Sequence, residues 1–209
     1  MTQTAPDRRG AMSRAALMSS ARNLFAERGF HGTSVGDIAD AAGLRKPSLF
    51  HHFPTKEALY RAVMDELIGQ VGAAILSGAT ATGTYAARLD SLNDTLSDFF
   101  AGHPESARLL FREALEPGAV LGEHGVTSSI KVLEAAATFL AEGMKAGEFA
   151  QQDPKQLVMS LTGLHLTFFA IAPLASPFVG ASVFGEGAAA RKAAVRAQVR
   201  SLVLKRLRL

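Results

Sequence analysis

The side chains best suited to chemistry in this sequence are hydrogen-bond donors that cluster between positions 45 and 56. The cluster combines cations, imidazoles and a hydroxyl: Arg45, Lys46, Ser48, His51, His52 and Lys56. Such side chains bind phosphate oxygens and base edges, so the cluster indicates a surface that contacts nucleic acid. Ser48 and His52 are four residues apart and would lie together on one helical face.

The residues around this cluster predict short helices that would hold it in place. Ser34 and Asp37 have the spacing of a capping box, which starts a helix. Gly43 supplies the left-handed residue for a sharp turn, and Pro47 suits the first position of the next helix. Thr55 can cap the helix that begins at position 56. A helix, a glycine turn and a second helix form a helix-turn-helix, whose second helix lies in the DNA major groove.

The remainder of the chain predicts further helices. They are expected at 13–28, 56–77, 84–101, 104–115, 121–146, 154–172 and 187–207. No run alternates with period two and carries β-branched residues, so the predicted fold class is all-α, with about nine helices. The segment as far as position 11 is predicted to be a mobile arm, and the Pro, Gly and Ser of 173–187 predict a loop.

Charge is segregated along the chain. Residues 1–56 contain eight Lys/Arg and four Asp/Glu, residues 57–190 contain seven and fifteen, and residues 191–209 contain seven and none. A basic head on an acidic body fits a protein that docks one end on a polyanion. The alternative is chance segregation.

The sequence offers no constellation for catalysis. It has no nucleophile elbow, phosphate loop or dinucleotide fingerprint, so neither an enzyme nor a cofactor is predicted. It has no Cys and no HExxH motif, so no metal site is predicted. The apolar stretch 157–175 is diluted by polar residues and predicts a buried helix rather than a membrane span. No secretory signal is visible in the first thirty residues, and we therefore expect a cytoplasmic protein.

Residues 21–59 resemble the DNA-binding region of TetR-family transcriptional regulators. Several short motifs occur in register: Leu24-Phe25-x-x-x-Gly29-Phe30, Thr33, Asp37-Ile38-Ala39, Ala42-Gly43-Leu44 and Leu49-Phe50-x-x-Phe53-x-x-Lys56-Glu57. The resemblance implies a head that binds double-stranded operator DNA, a helical body that binds a small-molecule effector, and a homodimer formed through the last two long helices. We therefore expect an arm and helix-turn-helix DNA-binding domain at 1–55 and a helical effector-binding and dimerisation domain at 56–209.

The resemblance also assigns the DNA-binding side chains. They are Thr33, Arg45, Lys46, Pro47, Ser48, Phe50, His51, His52 and Lys56. Lys56 looks like the family's phosphate clamp, and Thr33 can offer its hydroxyl and N–H to a phosphate or simply cap the chain. The sequence departs from many relatives at three positions. Arg45 stands where Ser is frequent, Pro47 where Gly is common, and Phe50 where the usual Tyr contacts a phosphate through its hydroxyl.

The body contains many bulky apolar side chains, and the resemblance implies a mostly apolar cavity among its middle helices. The predicted lining residues are Phe99, His103, Phe111, His124, Phe139, Thr162, His165 and Phe168. Because Phe dominates this set, a hydrophobic effector is favoured over a sugar or a nucleotide. The resulting hypothesis is a ligand-responsive transcriptional repressor released from a pseudo-palindromic operator. The alternative is a helical ligand-binding protein that no longer reads DNA.

Overall fold

The computed structural model describes residues 5–115, 120–179 and 187–204. Within these ranges the chain forms ten helices and no strand: α1 (Ala5–Arg28), α2 (Val35–Ala41), α3 (Lys46–His52), α4 (Lys56–Thr80), α5 (Tyr85–Gly102), α6 (Pro104–Leu115), α7 (Gly122–Lys145), α8 (Pro154–Ala170), α9 (Ala172–Val179) and α10 (Gly187–Val203). The predicted all-α class, with a three-helix head and a helical body, is confirmed.

Two segments that the sequence predicted as irregular are helical. Helix α1 begins at Ala5, inside the predicted mobile arm. Pro6 falls in its first turn, where the missing N–H has no intrahelical partner to lose. Helix α9 occupies part of the predicted loop at 173–187, and Pro173 again lies in a first turn. The other parts of these two predictions, and the predicted end of the last helix at 207, lie outside the described ranges.

One hydrophobic core joins the head to the body. Helices α1, α2 and α3 bury Leu17, Ile38 and Leu49 completely. Helix α4 continues the same cluster through Leu67, and Leu109 of α6 joins it. Because α4 belongs to both parts of the core, a change in its tilt moves the head relative to the body.

Helix α10 is held against α5 by a row of ion pairs. The three acids of α5 are four residues apart and meet three bases of α10 with the same spacing: Asp90 with Arg200 at 2.6 Å, Asp94 with Arg196, and Asp98 with Lys192 at 2.8 Å. Each pair is partly exposed to solvent and adds little stability by itself. The buried side of α10 carries Val195 and Val199, each 1% exposed, and this apolar contact supplies most of the packing.

One helix of the described ranges, α4, is long and apolar enough to cross a membrane, and 33% of its apolar window is buried in the protein. Helices α8 and α9 pass the same test only as a pair, and the chain bends by 86° between them. The apolar stretch at 157–175 is therefore divided between two helices.

Candidate nucleic-acid interface and internal cavity

The angle between α2 and α3 is fixed by hydrogen bonds at both ends of α2. At its start, the Ser34 hydroxyl accepts the Asp37 N–H at 3.1 Å and the Asp37 carboxylate accepts the Ser34 N–H at 3.0 Å. The bond from the Ser34 backbone lowers the pKa of Asp37. At its end, Gly43 has a φ of 66° and the Leu44 N–H donates to the Ala39 carbonyl at 2.9 Å. The Gly43 N–H also donates to the Asp40 carbonyl at 3.0 Å, and the two C-terminal bonds form a Schellman motif. The bonds at the two ends of α2 confirm the predicted capping box and glycine turn.

Helix α3 has an inner face that anchors it in the head. Leu49 is 0% exposed and Phe53 4% exposed, and Arg14 of α1 lies over the Phe53 ring. Arg45 is the N-cap residue, and Pro47 occupies the second helical position, one later than predicted. Its missing N–H still has no intrahelical partner to lose. The buried face determines which side chains of α3 point outward.

The outer face of α3 carries most of the predicted DNA-binding side chains. All of these are exposed or partly exposed: Arg45, Lys46, Pro47, Ser48, Phe50, His51 and His52. Phe50 is 48% exposed, so an aromatic ring lies among polar groups on this face. The side chain of Lys46 lies over Gly36, where a Cβ atom would come within 2.8 Å of the Lys46 Cε. Glycine at position 36 therefore lets the Lys46 side chain lie close to the start of α2.

Two predicted phosphate-binding residues, Thr33 and Lys56, make hydrogen bonds inside the head. Thr33 is 1% exposed, and its hydroxyl lies 2.8 Å from the Gly29 carbonyl and 3.2 Å from the Leu24 carbonyl. The Lys56 ammonium donates to the carbonyls of Phe30 at 2.9 Å and Thr33 at 3.0 Å, and it lies over the Phe30 ring. A backbone carbonyl accepts a hydrogen bond from an ammonium group as a phosphate oxygen does. Thr33 therefore holds the connection between α1 and α2 against the end of α1, and Lys56 ties that connection to the start of α4.

The body contains a cavity of about 380 Å³ lined by α4, α5, α6, α7, α8 and Val199 of α10. Aliphatic side chains form most of the lining. Five polar residues reach it: Asn93, Glu113, Ser129, Thr162 and His165. The volume lies within the range of roughly 300–1,000 Å³ that is usual for small-molecule sites. Across the described ranges, no group of three or more His, Asp or Glu side chains could hold a metal ion.

Three of the eight predicted ligand-binding residues line this cavity: Phe139, Thr162 and His165. The other five do not: Phe99, His103, Phe111, His124 and Phe168. Phe99 packs against His103 with ring centroids 5.5 Å apart, and Arg191 covers the Phe168 ring. Phe100 faces the cavity in place of Phe99, because adjacent residues of a helix point about 100° apart.

Asn93 is a cavity residue that the sequence prediction missed. It is 2% exposed and lies on α5 among Leu89, Leu92 and Leu96, which also line the cavity. An amide in the middle of an apolar helical face is rarely buried without a polar partner. That position was the signal in the sequence that could have identified it.

His165 of α8 is the partner of Asn93. Its Nε2 lies 3.1 Å from the Asn93 amide oxygen, and its Nδ1 lies 2.9 Å from the Leu161 carbonyl oxygen. Burial lowers the pKa of His165, and the charge of Arg191 acts in the same direction, so the ring is neutral at pH 7. A carbonyl can only accept a hydrogen bond, which assigns the single ring proton to Nδ1. The Asn93 amide then turns its NH₂ group toward Nε2, since amide oxygen and nitrogen are assigned from such partners.

A chain of contacts connects the cavity to the head. Glu113, on the cavity lining, accepts a hydrogen bond from the Tyr60 hydroxyl at 2.9 Å. Burial raises the pKa of Tyr60, and the charge of Glu113 raises it further. The Tyr60 ring packs edge-on against Phe25 and Phe30 at 5.0 and 5.3 Å. Beside Glu113, Arg112 donates to carbonyls at the C-terminal end of α1. Helix α6 therefore contacts both the cavity and α1.

Comparison with known proteins identifies the family. The family model "Bacterial regulatory proteins, tetR family" matches residues 17–63, and "Tetracyclin repressor-like, C-terminal domain" matches residues 86–203. The chain is 31% identical over 193 residues to the HTH-type transcriptional regulator RutR of Escherichia coli (strain K12), covering 89% of this chain and 90% of that protein. The chain belongs to the TetR family of transcriptional regulators.

One further relative is a repressor, and one solved structure shares the fold. The HTH-type transcriptional repressor KstR2 of Rhodococcus jostii is 43% identical over 75 residues, 34% of this chain and 37% of that protein. The crystal structure of AibR in complex with isovaleryl coenzyme A and operator DNA has a similar fold, with a TM-score of 0.71 and 19% identity over 91% of this chain and 97% of that one. As a family member, the protein is a ligand-responsive, DNA-binding transcriptional regulator that binds operator DNA and a small-molecule effector.

Proposed function

We propose that the protein is a cytoplasmic, homodimeric repressor that a small hydrophobic molecule releases from a pseudo-palindromic operator. DNA binding by the outer face of α3 is the first part of this proposal. Arg45 and Lys46 are exposed and have no ion-pair partner among the described residues. Unpaired cations on one surface release counterions when they neutralise phosphates, which makes DNA binding favourable and salt-dependent.

The same face carries groups that are suited to distinguishing bases. An arginine at the mouth of the recognition helix suits a bidentate contact with guanine, and Arg45 is at that position. Ser48 and His52 offer hydrogen bonds one helical turn apart. The ring of Phe50 is suited to the methyl group of thymine, because it cannot donate a hydrogen bond.

Dimerisation through α8 and α10, together with α9 between them, is the second part. Large apolar side chains remain exposed on these helices and at their junction: Met159, Ile171, Leu174, Phe178 and Leu202. Phe178 is 89% exposed and Leu174 71% exposed, which supports an interface with a second copy. Two recognition helices related by a two-fold axis would then contact half-sites about 34–36 Å apart, or a multiple of this spacing.

The third part is a change in the separation of the two heads when the cavity is occupied. Helix α4 contributes Met64 and Ile68 to the cavity lining and continues into the core of the head. The bond between Glu113 and Tyr60 gives α6 a second connection to the head. A ligand shifts the arrangement only if it binds one state more tightly than the other.

A mobility-shift titration tests the function. The probe is the DNA upstream of the protein's own gene, studied at several salt concentrations. We expect salt-sensitive binding, and a severe loss when Arg45 and Lys46 are both changed to Ala. The control is Lys131→Ala, which removes an exposed cation from α7. A protein that binds small molecules but shows no salt-sensitive DNA binding would support the alternative, a helical ligand-binding protein.

Sedimentation velocity tests the dimer. The expected species is a dimer, and replacing Leu174 and Phe178 together by Ser should produce monomers without unfolding, because both side chains are exposed. Unchanged dimers in this variant would exclude α9 from the interface. A monomeric natural protein would contradict the proposal.

A further inference from the structure

The cavity has no cationic side chain among the described residues that line it. Its one charged residue is Glu113, which already accepts the Tyr60 hydrogen bond. A carboxylate or phosphate placed inside would lose its hydration without gaining a positive partner from the described lining. This loss of hydration strongly disfavours anionic ligands in an apolar site.

The polar groups of the cavity are concentrated at one place between α5 and α8. Asn93 and His165 hold each other across the two helices, and Thr162 lies one helical turn before His165 on the same face of α8. The Thr162 hydroxyl makes no hydrogen bond to any other described residue. In contrast, the hydroxyl of Ser129 on α7 donates to the Gly125 carbonyl at 3.0 Å.

The remaining lining is suited to an apolar body. It is built from aliphatic side chains of six helices together with Phe100 and Phe139. Each methylene that a ligand buries there should raise its affinity by roughly four-fold. Apolar contacts therefore supply the affinity, while the polar cluster supplies the specificity.

We propose that the cavity selects an uncharged, largely apolar ligand whose single hydroxyl or carbonyl oxygen bonds to Asn93 and Thr162. This inference rests on the proposed function, since it takes the cavity to be the effector site. A hydroxyl or carbonyl group satisfies the Thr162 hydroxyl and the second amide N–H of Asn93 without bringing a net charge. Free acids and coenzyme A esters carry charges that nothing in the described lining can neutralise.

Titration calorimetry on the full-length protein tests the selection. The probes are 2-octanone, 2-decanone and 2-dodecanone, compared with decanoate and decanoyl coenzyme A. We expect the ketones to bind with affinity rising along the series, and both anions to bind at least about 100-fold more weakly than 2-decanone. Equal or tighter binding of either anion overturns the proposal, and so does the failure of all three ketones to bind.

Variants test the polar cluster. Thr162→Val keeps the side-chain shape, removes a hydroxyl that has no described protein partner, and should weaken 2-decanone binding roughly 5- to 10-fold. Asn93→Leu should weaken it at least as much, but it can also disturb folding because it leaves His165 without its partner. The control is Thr138→Val, which removes an exposed hydroxyl of α7 outside the cavity lining and should leave the affinity within about two-fold. Unchanged ketone affinity in the folded Thr162→Val protein contradicts the assignment of the cluster.

Operator release separates this inference from the proposed function. A protein that leaves its operator with decanoyl coenzyme A but not with 2-decanone is a ligand-responsive regulator whose ligand is not neutral, which overturns the inference alone. A ligand-free protein with no salt-sensitive DNA binding overturns the proposed function, whatever the ketones do.

Discussion

Replacing Lys56 by Met distinguishes an internal tie from a phosphate contact. In the structure the ammonium donates to two backbone carbonyls at 2.9 and 3.0 Å. Hydrogen bonds to a charged group contribute about 1.5–3 kcal/mol each, and the contact with the Phe30 ring adds about 0.5–1 kcal/mol. Lys56 is partly exposed and Met keeps its packing, so we expect a net loss of about 2–4 kcal/mol.

Thermal unfolding measures this loss. For a chain of about 200 residues, each kcal/mol lowers Tm by roughly 2–4 °C, so Tm should fall by roughly 4–16 °C. Below the transition, the folded variant should retain the natural slope of log affinity against log salt, because its interactions with phosphates are unchanged. That slope is measured by fluorescence anisotropy with a labelled operator duplex.

The matched control is Arg45→Met, which removes an exposed cation from the outer face of α3. This variant should lower the salt slope and leave the stability nearly unchanged. The unfolding free energy should change by no more than about 0.5 kcal/mol, and the salt slope should fall by about 0.9 per protomer for each phosphate that Arg45 neutralises. A Lys56→Met protein with an unchanged Tm and a salt slope reduced as in Arg45→Met would show that Lys56 contacts phosphate instead.

Three further variants test other parts of the molecule. Phe50→Tyr restores the hydroxyl that relatives direct to a phosphate, so operator affinity in a competition assay should rise by roughly ten-fold. A weaker complex would show that the ring at position 50 does not face a phosphate. Tyr60→Phe removes the hydrogen bond to Glu113. The ratio of the operator affinity without ligand to that with ligand should then fall by about five-fold or more. An unchanged ratio would show that this bond does not couple the cavity to the head. The third concerns pH: the pKa of His165 is lowered from 6.5 in the folded protein, so the unfolded chain binds the extra proton. The contribution of His165 to the free energy of unfolding is therefore constant above about pH 6.5. Below that pH, the free energy of unfolding falls by up to about 1.4 kcal/mol per pH unit. His165→Gln should remove this loss from the profile of Tm measured between pH 7.5 and 5.

The head could be predicted in detail because its signals are local. A capping box needs only Ser34 and Asp37 three residues apart, and the turn needs a residue that tolerates a positive φ, which Gly43 does. Each of these features involves groups only a few residues apart, so a short stretch of sequence contains both partners. Thr33 and Lys56 could not be assigned in this way. A hydroxyl or an ammonium can donate a hydrogen bond equally well to a phosphate oxygen or to a backbone carbonyl. Only the tertiary fold brings Lys56 to the carbonyl of Phe30, which is 26 residues away.

The cavity could be predicted in kind but not residue by residue. Composition indicated an apolar body, whereas the choice between Phe99 and Phe100 depends on the rotation of α5, which is set by its packing against other helices. Local signals also misled at α9, where Pro173 favours a loop in the sequence although it lies in the first turn of the helix. Contacts between distant segments decide such questions, as the Asn93–His165 pair across 72 residues illustrates.

The most direct test of the account is the affinity of the protein for its operator duplex, measured between 50 and 200 mM salt with and without a saturating cavity ligand. Two cations of α3 in each of two protomers predict a slope of log affinity against log salt of about −3.6 or steeper. The ligand should weaken binding by at least about five-fold at every salt concentration. A slope near zero, or an affinity that a bound cavity ligand leaves unchanged, would contradict the account.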